Sequence, residues 1–174
     1  AAVVPGGGEI GRAQALQAKA CRLLPHIDMN PVLLKPQSDV GAQLVVMGKV
    51  EGNYPAKEYQ EKKNELLVVV MDAAQRLKKE ADILLIEGAG SAAEVNLREN
   101  DIANMGFAVA MQTPVVLVAD IDRGGVIASI VGTWELLPEE ERKLISGYII
   151  NKFRGDVNLF RSGIEIIEKK TGLS

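Results

Sequence analysis

The sequence predicts an α/β fold: a doubly wound, mainly parallel sheet with helices on both faces. Three observations carry that prediction. Compact apolar runs stand at 82–87 (DILLIE), 114–120 (PVVLVAD) and 147–151 (GYIIN), and such near-continuous runs are the pattern of strands buried on both faces of a parallel sheet. Helical segments separate them, at 100–111 and 126–137, and a further one follows at 157–170. Strand–helix–strand alternation builds βαβ units with right-handed crossovers. The composition agrees, with 47% hydrophobic and 25% charged residues in a chain of 174, enough for one substantial core.

The N-terminal half reads differently. Over 9–24, Ile10, Ala13, Leu16, Gln17, Ala20 and Leu24 recur at helical spacing, and Pro25 stops the run. The stretch 29–36 is extended, because Pro31 and Pro36 disfavour helix in the residues before them. Residues 43–47 (QLVVM) read as a short strand ended by Gly48. A long helix is expected over 54–80, with Leu66, Leu67, Val70, Ala73, Ala74 and Leu77 on one side and lysines and glutamates on the other. There is no internal repeat, low-complexity segment or linker, so a single domain over 1–174 is expected.

Several function classes are excluded. The net charge is −3 with no Lys/Arg block, so neither a nucleic-acid nor a membrane surface is indicated. No apolar run approaches the roughly 20 residues that span a bilayer. The single cysteine, Cys21, rules out an internal disulfide framework and fits a reducing compartment. With His26 as the only histidine, a Ser-His-Asp triad or a Cys/His zinc site is not expected. The start, AAVVP, lacks an initiator Met and the features of a signal peptide, and reads as a cut. Gly6, Gly8 and Gly11 match G-x-G-x-x-G, but no strand feeds them as a dinucleotide site requires. Gly48-Lys49 is no phosphate loop, since Val50 replaces the required Ser/Thr.

In open parallel sheets, ligands bind beyond the carboxyl ends of the strands. The three apolar runs lead into Glu87-Gly88-Ala89-Gly90-Ser91, Asp120-Ile121-Asp122-Arg123-Gly124-Gly125 and Asn151-Lys152-Phe153-Arg154-Gly155. Polar turns of this kind are common at strand ends; three together point to a site. Glu87 follows four apolar residues, as an acid presented to Mg²⁺ does, the alternative being a solvated acid at the strand end, and Gly88 allows close backbone approach. Asn151-Lys152 is half of a base-reading motif whose carboxylate is here replaced by Arg154. An Asn alone suits the N6/N7 edge of adenine, which favours ATP over GTP, the alternative being an Asn that caps the strand. Gly124 and Gly125, just before a helix, offer free N–H groups to an anion. With Arg123 they form a plausible cradle, the alternative being a glycine turn with Arg123 paired to Asp120 or Asp122.

The motifs GGEIGRAQA (7–15), MNPVLLKP (29–36), EGAGS (87–91), NLRENDIANMG (96–106), VADIDRGGV (118–126) and NKFRGD (151–156) resemble the cobyric acid synthase family. They correspond to its N-terminal ATP-binding domain, which is P-loop NTPase-like and similar to dethiobiotin synthetase. The resemblance runs over essentially the whole chain. Ala93 departs from it, where the family usually has proline.

The resemblance implies ATP- and glutamine-dependent amidation of peripheral carboxylates of adenosylcobyrinic acid a,c-diamide, through an acyl phosphate, in cobalamin biosynthesis. It implies ATP and Mg²⁺ as cofactors and a cytoplasmic enzyme. It also implies a phosphate loop upstream of Ala1 and a glutaminase domain beyond Ser174 that supplies ammonia, so the piece alone is expected to be inactive; a homodimer is compatible with it. By position, Glu87 resembles the Mg²⁺ ligand, and Asn151 and Gly88 fall at the nucleotide. Glu9, Asn100, Asn104, Gly124 and Gly125 fall in substrate-side motifs, and Asp101, Asp122 and Arg123 are the candidate catalytic residues, Asp101 toward ammonia. Competing readings are cobyrinic acid a,c-diamide synthase, dethiobiotin synthetase, a ParA-like ATPase switch and a dinucleotide-binding module.

Overall fold

Ala2–Val3 (β1) and Glu9–Ile10 (β2) form a short antiparallel ladder, with Ala2 opposite Ile10 and Val3 opposite Glu9. The expected helix over 9–24 is therefore shorter. Its first residues are taken by this ladder, which buries Ile10 completely. Helix α1 covers Arg12–Ala20, and the chain turns away at Arg22, whose φ is 59°. The computed structural model describes residues 1–38 and 41–174, and these form two compact units, Ala1–Ile86 and Glu87–Ser174.

The rest of the first unit is a three-stranded antiparallel sheet, β3 (Val32–Ser38), β4 (Gly41–Val46) and β5 (Lys49–Pro55), in that order, followed by α2 (Ala56–Glu80). The extended stretch expected at 29–36 begins only at Val32, because Ile27–Met29 form a 3-10 turn; the strand expected at 43–47 lies in β4, and β5 is not foreseen by the pattern. The missed signal is a two-residue hairpin. Val46 pairs with Lys49, and Met47 and Gly48 both have positive φ, 47° and 77°, the left-handed pair whose twist matches antiparallel strands. Helix α2 behaves as its pattern predicts, burying Leu66, Ala73 and Ala74. Bidentate Arg76 ties it to Asp28, which is 6% exposed: Nε lies 3.0 Å from Oδ2 and Nη2 lies 2.7 Å from Oδ1.

The second unit contains α3 (Met105–Met111), β6 (Val115–Asp120), α4 (Val126–Leu136), α5 (Glu139–Arg142), β7 (Ile145–Asn151) and α6 (Val157–Thr171). β6 and β7 pair in parallel, joined by a helical crossover. Their buried side faces two apolar clusters. One joins Met105 and Ala108 of α3 with Leu117, Leu137, Ile145 and Leu173. The other joins Ala119, Val126, Ile130 and Ile167, with Tyr148 and Ile150 against it.

Two expectations are corrected here. The run 82–87 is extended but joins no ladder among the described residues, and Ile83 and Leu85 are exposed. An apolar run becomes a sheet strand only where its backbone groups find neighbours. The β6–β7 pair also buries one face, while Val116, Val118 and Ile149 on the other are about half exposed or more. The helix expected at 100–111 starts at Met105, for a reason that belongs to the site. Among the described residues, no helix is long and apolar enough to cross a membrane.

Candidate functional site

The parallel register sets Asp120 directly beside Asn151 at the carboxyl edge of β6 and β7. The two following loops are drawn together by charge. Lys152 Nζ lies 2.7 Å from Asp120 Oδ2, and Arg154 Nη2 lies 3.1 Å from Asp122 Oδ2. The remaining oxygen of Asp120 accepts the Asp122 N–H at 2.9 Å and caps the 3-10 turn Ile121–Arg123. Lys152 holds the Asp120 carboxyl below its usual range through this hydrogen bond, and Asp120 in turn raises the Lys152 ammonium above its own. Arg123 Nε stands 3.9 Å from Asp120, and its side chain is 88% exposed. It therefore makes the pairing that was the alternative to an anion cradle, while remaining open to solvent.

Gly124 and Gly125 have φ of 75° and 66°, and a side chain at either would meet open space. Backbone conformation requires glycine at both positions. Gly125 is the N-cap of α4 and makes no side-chain cap hydrogen bond, and helix-start N–H groups left so are of the kind that bind anions. Asn151 uses its carboxamide oxygen to accept the Lys152 N–H at 2.9 Å. A carboxamide oxygen has a second lone pair and the amide two hydrogens, which leaves the group able to pair with a base edge.

A second group forms around Glu87. Glu87 and Gly88 are exposed at the head of the unit, and Asn104 Nδ2 donates to Ala89 O at 2.7 Å. A side chain at Gly88 would run into Asn104 Oδ1 and lie 2.8 Å from Ala103 O, so glycine there is a packing requirement. Asp101 shapes this loop. Its Oδ1 accepts the N–H groups of Ala103 (2.9 Å) and Asn104 (3.1 Å), and its Oδ2 that of Gly106 (3.0 Å). Those donors would otherwise be orphans at the start of α3, which explains why the helix starts at Met105 and not at 100. Asn100, with φ of 57°, makes the preceding left-handed turn. The carboxylate expected to face ammonia is thus committed to three backbone donors.

Glu9 belongs to the first unit, where its Oε1 accepts from Lys35 Nζ at 2.9 Å. Its backbone N–H donates to Gly48 O, where Gly8 and Gly48 pack backbone to backbone. The sequence reading did not single out Lys35, Asp120, Lys152 or Arg98 as site residues. Asp120 and Lys152 stood in quoted motifs, but only the parallel register shows that they meet. Among the described residues no group of three or more His, Cys, Asp and Glu side chains is placed to hold a metal ion. A site with a single protein carboxylate is still of the kind that holds Mg²⁺, which is commonly bound by one or two carboxylates with phosphate oxygens and water completing the shell.

The model of the AAA domain family matches residues 26–174, in keeping with the P-loop NTPase-like α/β class read from the sequence. The chain is similar to the cobyric acid synthase of Mesorhizobium japonicum, 62% identical over 96% of this chain and 34% of that protein. It is 60% identical to the cobyric acid synthase of a Sinorhizobium species, over 99% of this chain and 36% of the relative. Identity to that of Methylorubrum populi is 58%, over 99% and 35%. The chain therefore spans about a third of the length of the curated relatives it matches. No solved structure matches it.

Proposed function

Because this chain belongs to the AAA domain family, we propose that it is ATP-binding machinery of a cobyric acid synthase, a ligase that amidates carboxylates in cobalamin biosynthesis. The acid proposed is adenosylcobyrinic acid a,c-diamide, and the amide donor glutamine, through ammonia released in another part of the protein. The observation that supports this most is the shared edge at which Asp120 and Asn151 stand side by side, with the uncapped start of α4 next to it.

A carboxylate resists attack because its charge is delocalised. In the proposed reaction one carboxylate oxygen of the acid bonds to the γ-phosphorus of ATP and ADP leaves. Ammonia then bonds to the acyl carbon, phosphate leaves, and the nitrogen loses a proton. Bound Mg²⁺ would neutralise charge on the phosphoryl oxygens. The chain's own part is positioning and charge complementarity. Glu87 is the proposed metal carboxylate, with Gly88 giving the backbone room beside it. Asn151 takes the adenine edge. Arg123 and the N–H groups after Gly124 and Gly125 take a carboxylate or amide of the corrin rim, and Asp122 keeps Arg154 turned toward the same loop. Asn100 and Asn104 line the substrate side, and Asp101 holds Asn104 in register.

The test uses the full-length protein. Glu87→Gln should abolish ATP-dependent amidation and leave glutamine hydrolysis intact; amidation at the wild-type rate would refute the metal role. Arg123→Ala should raise KM for the corrin acid more than KM for ATP, whereas an effect on ATP alone would move the cradle to phosphate.

A further inference from the structure

Glu141 is the most deeply buried charged residue of the second unit, 3% exposed, on the four-residue helix α5. One oxygen, Oε1, accepts from Arg98 Nη2. The other, Oε2, is buried and accepts no hydrogen bond from the protein among the described residues. A buried, half-satisfied carboxylate is a poor device for stability, since desolvating the ions offsets much of their attraction. Such a group calls for another explanation.

What Glu141 holds is specific. Arg98 closes the 3-10 turn Val95–Leu97, and its carbonyl accepts the N–H of Asp101 at 3.0 Å. Asp101 in turn clasps the N–H groups of Ala103, Asn104 and Gly106, and Asn104 reaches Ala89, two residues from Glu87. An unbroken line of bonds runs from Glu141 to the turn that presents Glu87. Helix α5 also contacts α3 (MGFAVAM), which carries no charged side chain. The charges facing Glu141 are Arg98, Asp101 and, on its own helix, Glu140.

We propose that Glu141 is a positioning residue for amidation, setting the 98–106 loop and the Glu87 turn through its ion pair with Arg98. The proposal rests on the function assigned above. Burial, the largest influence, pushes the Glu141 carboxyl up from its ordinary range. Lowering the pH should protonate it before an ordinary exposed carboxyl and so loosen Arg98.

The experiment compares wild type, Glu141→Gln, Glu141→Asp, Arg98→Met, the Glu141→Gln/Arg98→Met pair and Glu87→Gln in the full-length protein. Amidation kinetics are followed across pH, with ATP-independent glutamine hydrolysis as the control for intact protein. Glu141→Gln should lower kcat for amidation about tenfold or more, as small misplacements near a reacting centre do. It should leave KM for ATP within about twofold and remove an acidic limb of the kcat profile. Glu141→Asp should recover part of kcat, and the double variant should be no worse than the poorer single one. A wild-type kcat and pH profile in Glu141→Gln, or additive losses in the double variant, would overturn the proposal. If Glu141→Gln does not fold, Arg98→Met decides by the same kcat criterion. Glu87→Gln separates the two levels: active, it refutes the assigned function; inactive beside an unimpaired Glu141→Gln, it refutes this proposal alone.

Discussion

Lys152 Nζ and Asp120 Oδ2 are 2.7 Å apart across the parallel strand pair. Lys152 reaches this position with its backbone in the left-handed region, φ 59°, an arrangement uncommon for a residue with a side chain. The contact closes the β7 loop onto the β6 loop, and the same carboxylate caps the turn that carries Asp122 and Arg123. One aspartate thus fixes the path of both loops.

Replacing Lys152 by Met should therefore change the pH dependence of stability. The Asp120 carboxyl is depressed, so its contribution is present above the unfolded-state carboxylate pKa, about 3.9. It is lost as pH falls through the lower folded value. The Lys152 ammonium is raised, so its contribution is complete below the unfolded lysine pKa, about 10.4, and lost as pH rises through the folded value. Tm measured against pH should show both slopes in wild type and shallower ones in Lys152→Met. Parallel curves would mean that the contact contributes nothing in solution.

Asp101→Ala should cost about 1–2 kcal/mol in urea unfolding, the scale of a lost helix cap, and should reduce amidation as the loop frays. Asp101→Asn keeps an acceptor oxygen and should lose less. An unchanged unfolding midpoint for Asp101→Ala would contradict the role given to this carboxylate.

The uneven legibility of the chain has physical causes. The runs at β6 and β7 are recognisable as compact apolar stretches, and α2 by its amphipathic period. The run at 82–87 has the same composition as β6 yet lacks ladder neighbours among the described residues, a condition that no local pattern encodes. Strand β5, with Gly52 and Asn53 inside it, has no apolar alternation, and only the left-handed Met47-Gly48 turn explains it. At the site, motif residues were identified by type, but their pairings were not. Glu141 lies 43 residues from Arg98, and Lys152 lies 32 from Asp120. Asp101 looked like chemistry in the sequence and serves as a clasp, because a carboxylate just ahead of a helix is as fit to cap as to catalyse.

Gly88→Ala should impair amidation through sterics alone. The added methyl would meet Asn104 Oδ1 and the Ala103 carbonyl, and overpacking of this kind costs roughly 1–3 kcal/mol. Shortening Asn104 to Ala in the same protein should relieve part of the clash, so the double variant should recover thermal stability relative to Gly88→Ala. A Gly88→Ala protein with wild-type Tm and activity would show that this approach is looser than the structure has it.

In the first unit, Arg76→Ala would leave the Asp28 carboxylate buried without its bidentate partner. Unpaired buried charge is strongly unfavourable, so Tm should fall clearly, and Asp28→Asn in the same background should restore part of the loss. No change in Tm would remove this pair from the account of how the first unit holds together.

The central claim is phosphoryl transfer to a carboxylate, and isotope transfer tests it most directly. The full-length protein is given corrin acid labelled with ¹⁸O in its peripheral carboxylates, together with ATP and glutamine, and the phosphate released is analysed by mass spectrometry. The account predicts one ¹⁸O atom in phosphate for each amide formed, and none in phosphate from a Glu87→Gln protein. Amide formed with unlabelled phosphate would contradict it.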